Sequence, residues 1–207
     1  MAVPAGTPIR LVLCDLGGVV VRFDSAKALT ALAGVAGCTP QDVIAALDDA
    51  LLLGFETGRL TARQFFDGLT QRLHSAPTYE QFTALWNDIF TGNPDVPPIL
   101  ERLRGQCQLA SLSNTNALHF EHLMQTSPAM RLFHRHLPSF QLGARKPEPQ
   151  MYLRALEAMG GIPPWETLYI DDRPDLVAAG QAVGLRSIQF EDAAQLRGAL
   201  RGAGFEA

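Results

Sequence analysis

Four short polar segments, each with side chains that could take part in catalysis, follow apolar, strand-like runs of the sequence. They are Asp15 after Ile9–Cys14, Ser113-Asn-Thr-Asn116 after Gln108–Leu112, Lys146 shortly after Phe140–Leu142, and Asp171-Asp172 after Thr167–Ile170. The four segments supply an acid, a hydroxyl with amides, an ammonium group and an acid pair. These groups would lie together if the strands were neighbours in one parallel sheet, because ligands bind at the carboxyl ends of such strands.

The chemistry of these groups points to phosphoryl transfer. Carboxylates packed together repel one another unless a cation lies among them, and carboxylate oxygens favour magnesium. A hydroxyl, exposed amides and a lysine can hold a phosphate. A carboxylate that faces the phosphorus can attack it, and water can then cleave the aspartyl-phosphate. Asp15 is the candidate nucleophile, and Lys146 would neutralise both Asp15 and the phosphoryl group.

Each segment also has an ordinary structural explanation. An aspartate at a strand end often forms a turn, and Ser-Asn-Thr-Asn is a common helix cap. Lys146 could lie on the surface, although it is one of only two lysines beside fifteen arginines. It could remain a lysine because a guanidinium group differs in shape and hydration from an ammonium group. The occurrence of all four segments in strand order favours the functional interpretation.

The pattern along the chain predicts the elements that would position these residues. With a fifth strand at Ser187–Phe190, strand-like runs alternate with helix-like segments near 117–125, 148–159, 175–183 and 192–200. Such alternation is typical of a parallel sheet covered by helices on both faces. We therefore predict an α/β fold with a Rossmann-like, doubly wound core.

The stretch after the first strand has a different pattern. It contains no convincing strand and predicts four helices, near 26–35, 40–53, 62–73 and 79–90. Two of these begin with a capping box, in which a threonine precedes a glutamine by three residues, at Thr61 and Thr78. We predict an α/β core formed by residues 1–22 and 95–207, interrupted by an all-helical insert at 23–94.

Composition excludes several classes of protein. A chain of 207 residues with 47% apolar residues can build one domain with a modest insert. The net charge of −4 gives no basic surplus for a nucleic-acid partner. No apolar run approaches the roughly 18 residues of a membrane span. Three cysteines, two of them in apolar runs, suggest reduced thiols and a cytoplasmic protein. Monomer and homodimer both remain open.

Read together, the motifs resemble those of the haloacid dehalogenase-like hydrolase superfamily, whose members are mostly phosphatases. The motifs are Leu13-Cys-Asp15-Leu-Gly-Gly18-Val, Leu112-Ser113-Asn-Thr-Asn116, Arg145-Lys146-Pro-Glu148-Pro and Tyr169-Ile-Asp171-Asp172-Arg-Pro-Asp175. The predicted insert lies where that family has a helical cap, and Phe55-Glu-Thr-Gly58 resembles a cap segment. The chain is also similar to the bacterial glucose-1-phosphate phosphatases, which share Asp-Leu-Gly and Ser-Asn-Thr-Asn.

The resemblance implies a role for each matching residue. Asp15 would be the nucleophile, and Ser113, Asn114 and Lys146 would hold the phosphate of a small-molecule phosphate ester. The cofactor would be Mg²⁺.

The resemblance also implies a set of metal ligands. Asp15 would bind the metal through its side chain, Gly17 through its backbone carbonyl, and the acid pair would complete the site. The family has two spacings for the last motif, and Asp171-Asp172 with Asp175 satisfies both. We favour Asp172 as the direct ligand and Asp171 as its partner.

The sequence departs from the family pattern at Gly17, where most of these phosphatases carry a second aspartate as general acid and base. General acid–base catalysis typically increases the rate about 10²–10⁴-fold. Either turnover is slow, the leaving group needs little protonation, or a cap residue or substrate hydroxyl takes over. Glu56 is a candidate from the insert, although it could equally be a surface acid.

Three functions therefore remain. The first is a magnesium-dependent phosphatase acting on a small metabolite such as a sugar 1-phosphate. The second is a metal-independent 2-haloacid dehalogenase, which Gly17 suits but the acid pair disfavours. The third is a phosphate-binding relic without catalysis. A zinc site at His119 and His122 is disfavoured because no second pair has a matching spacing.

Overall fold

A computed structural model describes residues 7–73 and 77–206, so residues 1–6 and 207 of the predicted core and 74–76 of the predicted insert lie outside the described residues. The described chain contains two sheets. Their strands are β1 (Leu11–Cys14), β2 (Val21–Phe23), β3 (Phe90–Gly92), β4 (Gln108–Ser113), β5 (Arg135–Pro138), β6 (Thr167–Asp171) and β7 (Arg186–Gln189). The larger sheet is parallel throughout, in the order β5-β4-β1-β6-β7. This order confirms the predicted doubly wound core.

Helices cover both faces of this sheet. The described helices are α1 (Ser25–Ala36), α2 (Pro40–Ala46), α3 (Asp49–Glu56), α4 (Ala62–Thr70), α5 (Tyr79–Asn87), α6 (Pro97–Arg104), α7 (Ala117–Thr126), α8 (Ser139–Leu142), α9 (Pro149–Ala158), α10 (Pro174–Ala182) and α11 (Ala193–Gly202). Val12 of β1 packs with apolar residues of α6 and α11, and Leu13 packs with those of α9. Such alternation follows from the two-residue period of a strand. No described helix is long and apolar enough to cross a membrane.

The predicted strand at Phe140–Leu142 is wrong. The strand of this region is β5, which lies earlier in the chain, and Phe140–Leu142 belongs to the short helix α8. Gly143 ends that helix in the left-handed conformation, with φ of 66°. β5 lies at the edge of the sheet and begins with Arg135 and His136, so it lacks the apolar pattern of a central strand.

The described part of the insert contains five helices where four were predicted. The predicted helix at 40–53 is two helices, α2 and α3, separated at Leu47 and Asp48. Asp48 starts α3 by accepting a hydrogen bond from the backbone N–H of Leu51 at 2.7 Å. The insert has its own aromatic core, which includes Phe55, Phe65 and Phe82.

The predicted absence of strands in this stretch is also wrong. β3 pairs with β2 in an antiparallel ribbon, with Val21 opposite Gly92 and Phe23 opposite Phe90. Each strand has three residues, too few for an alternating pattern to be recognised. The ribbon lies where the chain leaves the core and returns, so it joins the two ends of the insert.

Candidate active site

Three carboxyl groups meet where β1 and β6 end. β1 and β6 are hydrogen-bonded neighbours, with Cys14 in register with Ile170, so the next residues along each strand lie side by side. Ligand oxygens of Asp15, Asp171 and Asp172 all lie within 4.8 Å of one another. The sequence predicts that these residues lie at one edge of the sheet, and the structure brings them together there.

Lys146 connects two of these carboxyl groups. Its side chain is 1% exposed, and Nζ lies 3.0 Å from Oδ1 of Asp15 and 2.6 Å from Oδ2 of Asp171. Burial alone would lower the pKa of Lys146, but the carboxylates of Asp15 and Asp171 outweigh it and raise that pKa above its usual value. Lys146 is therefore a buried ammonium ion, and the explanation as a surface lysine is wrong.

The two residues of the acid pair have different surroundings. Asp171 is fully buried and accepts hydrogen bonds from Lys146 Nζ, the Tyr169 hydroxyl and, at 3.0 Å, the Arg173 backbone N–H. Asp172 is half-buried and borders the cavity beside Asp15. A cation in that cavity could therefore reach Asp172 without displacing other donors, whereas the oxygens of Asp171 are already engaged.

Gly18 is required next to Asp172. A Cβ atom at position 18 would lie 2.3 Å from Oδ2 of Asp172, and the residue has φ of +81°, which side chains other than glycine rarely adopt. The second glycine of Asp15-Leu-Gly-Gly thus lets the Asp172 carboxyl group approach the β1 turn.

Burial raises the pKa of the Asp15 carboxyl group to about 6, against the opposing effect of Lys146 and with a further contribution from Asp171. Burial also raises the pKa of Asp172, and the charge of Asp171 adds to the shift. Three acids held this closely with one ammonium leave surplus negative charge. A divalent cation among them would lower the free energy of the ionised forms.

The donor set fits magnesium. Carboxylate oxygens are hard ligands, and magnesium is usually held by one or two carboxylates together with substrate phosphate oxygens. Asp15 and Asp172 supply two such groups next to a cavity of about 120 Å³, and Gly17 borders the same cavity. Ser113 and Asn114 line its other side, at the end of β4.

Asn114 has a role that the sequence did not indicate. Its side-chain N–H donates to the Lys146 backbone carbonyl at 2.8 Å, and its side-chain oxygen accepts from the Lys146 backbone N–H at 2.8 Å. The side chain therefore holds the loop that carries Lys146. Ser113 is buried, and its hydroxyl lies 3.5 Å from the Asn114 backbone carbonyl, a contact too long to be strong.

A second, larger cavity of about 310 Å³ adjoins the first and lies between the insert and the core. Glu56, at the end of α3, contributes a carboxyl group to its wall, with Oε2 3.0 Å from Nη1 of Arg145. Phe23 of the ribbon also borders it, and a Cβ atom built on Gly17 would lie 3.0 Å from the Phe23 ring. An aromatic ring thus occupies the space next to Gly17 into which a side chain at position 17 would extend.

His119 also borders this cavity but does not bind a metal in the arrangement seen here. Its Nε2 lies 2.9 Å from the Trp86 carbonyl and its Nδ1 lies 3.1 Å from the Asn116 amide. Burial lowers the pKa of His119 to about 4, so the ring is neutral. Within the described residues, the group of three acids is the only metal-compatible cluster of His, Cys, Asp and Glu, which argues against the zinc alternative.

A larger groove lies elsewhere. It has a volume of about 590 Å³ and is lined mainly by prolines and apolar residues, including Pro94, Pro97 and Leu132. Among the described residues, Glu101 is its only charged lining residue, and none of the four motifs borders it. We place the chemistry at the smaller cavities, because the convergent polar groups lie there.

The family model for haloacid dehalogenase-like hydrolases matches residues 9–184, which include all four motifs. The protein therefore belongs to the haloacid dehalogenase-like hydrolases.

Individual relatives are distant but cover nearly the whole chain. A D-ribitol-5-phosphate phosphatase from Bacteroides thetaiotaomicron is 28% identical, over 91% of this chain and 95% of its own. A phosphatase from Mycobacterium tuberculosis is 26% identical, over 91% of this chain and 90% of its own.

A solved structure from the same Bacteroides species is also similar. This haloacid dehalogenase family enzyme, in complex with magnesium and inorganic phosphate, has a TM-score of 0.82 and 25% identity, covering 91% of this chain and 98% of its own.

Proposed function

We propose that the protein is a magnesium-dependent phosphatase that hydrolyses a small phosphorylated metabolite through an aspartyl-phosphate on Asp15. The observation that carries this proposal is the position of Lys146 Nζ between the carboxyl groups of Asp15 and Asp171, which lie in one cluster with that of Asp172. The phosphatases among the relatives, and the structure with magnesium and phosphate, support the same conclusion.

In this proposal, the phosphate enters the cavity next to Asp15 and is held by Ser113, the Asn114 backbone and Lys146. The carboxylate of Asp15 forms a bond to phosphorus as the bond to the leaving oxygen breaks. A water molecule then attacks the phosphorus, the bond to Asp15 breaks, and inorganic phosphate leaves. Asp171 positions Lys146, because its own oxygens remain occupied by donors.

Magnesium would be held by Asp15, Asp172 and the carbonyl of Gly17, where it would supply positive charge against the carboxylates and the phosphate. Asp171 would stay a partner rather than a ligand. The helical insert acts as a cap in this proposal, because Glu56 and Trp86 of the insert border the cavity that adjoins the phosphate site.

The dehalogenase alternative is weaker. A 2-haloacid dehalogenase from Pseudomonas syringae has a TM-score of 0.67 at 21% identity, which reflects the fold alone. A metal-independent reaction would gain nothing from three acids within 4.8 Å of one another. The non-catalytic alternative is disfavoured because a relic would not require a buried lysine beside the nucleophile.

The substrate class remains a proposal of its own. Gly17 supplies no proton to the leaving oxygen, so weakly basic leaving groups should react best. Sugar 1-phosphates leave more easily than the matching 6-phosphates, and we propose that they are preferred. A cytoplasmic location is proposed as well, supported by the free thiols of Cys14, Cys38 and Cys107.

The test is the hydrolysis of p-nitrophenyl phosphate with and without magnesium, alongside halide release from chloroacetate. We expect phosphate release that requires magnesium, and no halide release. Halide release that persists with a chelator would establish the dehalogenase, and the absence of both activities would support the non-catalytic relic.

A further inference from the structure

The charges that line the larger cavity are already paired. Its cationic lining residues within the described chain are Arg145 and Arg173. Arg145 lies 3.0 Å from a carboxylate oxygen of Glu56, and Arg173 lies 2.7 Å from one of Asp175. Lys146, next to the nucleophile, is shared by two acids. Apart from the phosphate site, the cavity therefore offers no unpaired cation to a second negative charge on a substrate.

The Glu56 carboxylate retains acceptor capacity. Its Oε2 is buried and has no aligned hydrogen-bond donor in the described part of the chain, since the Arg145 contact is an ion pair without hydrogen-bond geometry. The side chain as a whole is 17% exposed, and its exposed surface borders the cavity. An ionised carboxylate can accept several hydrogen bonds, so the exposed part of the Glu56 carboxylate, rather than the buried Oε2, can accept them from substrate hydroxyls.

The backbone around Glu56 is held firmly against the core. The hydroxyl of Ser139 donates to the Glu56 carbonyl at 2.6 Å, and Ser139 is fully buried. Two residues on, a Cβ atom at Gly58 would lie 2.1 Å from the Phe140 carbonyl. The last turn of α3 therefore lies directly on α8, and Glu56 has a defined position relative to Arg145 and the phosphate site.

Arg145 connects this carboxylate to the catalytic loop. It directly precedes Lys146, whose backbone is fixed by Asn114. The lining of the same cavity also includes the aromatic side chains of Phe23, Trp86 and Phe90. A carboxylate and a guanidinium group in one cavity with aromatic rings suit the hydroxyl groups and the C–H face of a polyhydroxylated molecule.

We propose that the Glu56–Arg145 pair determines the specificity of the cavity: Glu56 accepts hydrogen bonds from hydroxyls of the leaving group, and it neutralises Arg145 so that esters with a second negative charge are disfavoured. This inference rests on the proposed phosphatase function. It assigns Glu56 to substrate selection rather than to proton donation at the leaving oxygen.

The test compares kcat/KM for D-ribitol 5-phosphate, which is a polyol ester, with that for 2-phosphoglycolate, which carries a carboxylate. Both are alkyl esters, so the loss of a proton donor would slow both. The ratio measured is kcat/KM for D-ribitol 5-phosphate divided by kcat/KM for 2-phosphoglycolate. In Glu56→Gln, we expect this ratio to fall by about tenfold or more, because a charge-assisted hydrogen bond to the polyol is lost and Arg145 becomes unpaired.

The reverse change provides a second measurement that does not depend on the first variant. Arg145→Gln leaves the Glu56 carboxylate unpaired. Compared with the unaltered protein, it should therefore lower kcat/KM for 2-phosphoglycolate and raise the ratio of D-ribitol 5-phosphate to 2-phosphoglycolate. The double variant Glu56→Gln, Arg145→Gln leaves no net charge at the pair. The relative increase in kcat/KM for 2-phosphoglycolate that we expect in Glu56→Gln should therefore disappear in the double variant. Glu80→Gln, at an exposed residue of α5 away from the cavity, is the matched control.

Equal ratios in Glu56→Gln and Glu80→Gln would overturn the inference, as would an equal loss with both esters, which would indicate proton donation or a structural role. Phenyl phosphate, which has no hydroxyl, separates this failure from that of the proposed function. If the unaltered protein hydrolyses phenyl phosphate with magnesium but these ratios do not change, only the specificity inference fails. Without that hydrolysis, the proposed function itself fails.

Discussion

Where β1 and β6 end, Asp15, Lys146 and Asp171 form a buried network of charged side chains, whereas the charged side chains of the adjoining cavity are partly exposed and occur as single ion pairs. Lys146 is 1% exposed and contacts two carboxylates. Glu56 is 17% exposed, Arg145 is 34% exposed, and each has the other as its ion-pair partner. In the proposed function, the buried network carries out the chemistry and the exposed pairs select the substrate, so we expect substitutions in the network to have the larger effects.

The largest effect is expected from Asp15→Asn. The change preserves the volume of the side chain but removes the proposed nucleophile and one acidic group of the buried network. We expect activity to fall by several orders of magnitude, as for other removed nucleophiles, while the protein stays folded. Phosphatase kinetics and a thermal melt on the same sample check this. Near-normal turnover in the folded variant would contradict the assigned mechanism.

Lys146→Arg should have the next largest effect. A guanidinium group is larger than an ammonium group and cannot occupy the same position between Asp15 and Asp171. We expect at least about 100-fold lower activity and a free energy of unfolding lower by about 3 kcal/mol, because a buried charge pair is disturbed.

The chain offers a matched control in its other lysine. Lys27 is 57% exposed and forms a surface ion pair with Asp88. Lys27→Arg should leave activity and melting temperature almost unchanged, since exposed pairs contribute little. Equal effects of the two substitutions would remove the distinction between the buried network and the surface.

Magnesium should stabilise the folded protein by binding to the acids at the ends of β1 and β6. At a hundredfold excess over the dissociation constant, binding to the native state alone adds about 2.7 kcal/mol. Asp172→Asn should reduce this stabilisation, and Asp175→Asn, at an exposed residue paired with Arg173, is the control. Identical thermal melts with magnesium and with chelator, together with activity that resists the chelator, would favour the dehalogenase.

The space next to Gly17 allows a sharper test of the missing acid. We expect the rate of phosphoryl transfer to Asp15 to depend steeply on the pKa of the leaving group. Gly17→Asp alone should flatten this dependence only partly, because a Cβ atom at position 17 would lie 3.0 Å from the Phe23 ring and that exposed ring must shift. Gly17→Asp with Phe23→Ala should flatten it, as measured by single-turnover kinetics over a series of esters. A flat dependence in the natural protein would show that another group already donates the proton.

The smallest effect concerns stability in the cavity region. The pKa of His119 is lowered to about 4 by burial, so between pH 6.5 and 4 the unfolded chain binds a proton that the folded protein does not. The contribution of His119 to stability is therefore lost as the pH falls, by about 2 kcal/mol between pH 7 and pH 5, whereas the raised pKa of Asp15 acts in the opposite direction. His119→Gln should reduce this loss, as measured by denaturant unfolding at both pH values. An unchanged loss would show that His119 is not its source.

The residues of the buried network could be predicted from the sequence more completely than the residues that line the adjoining cavity. Asp15 and Asp171-Asp172 directly follow central strands, which apolar composition reveals. The capping boxes at Thr61 and Thr78 were predicted correctly, because they depend on residues only three positions apart. Elements that depend on distant contacts were not predicted, including the ribbon of β2 and β3 and the edge strand β5.

Hydrogen bonds and ion pairs between distant segments of the chain likewise could not be predicted from the sequence. Asn114 holds the Lys146 backbone across 32 positions, and Glu56 reaches Arg145 from a different part of the chain. The residue types were visible, but no local pattern indicated their partners. The sequence indicates Glu56 as a candidate acid, but the guanidinium group of Arg145 beside it is visible only in the structure.

The central claim is that Asp15 carries the phosphoryl group during turnover, and acid-quenched mass spectrometry of the protein during a single turnover tests it most directly. We expect one phosphoryl group on the peptide that contains Asp15 when magnesium is present, and none in Asp15→Asn or with chelator. Turnover of a phosphate ester without a phosphorylated protein, or with the label on another residue, would contradict the account.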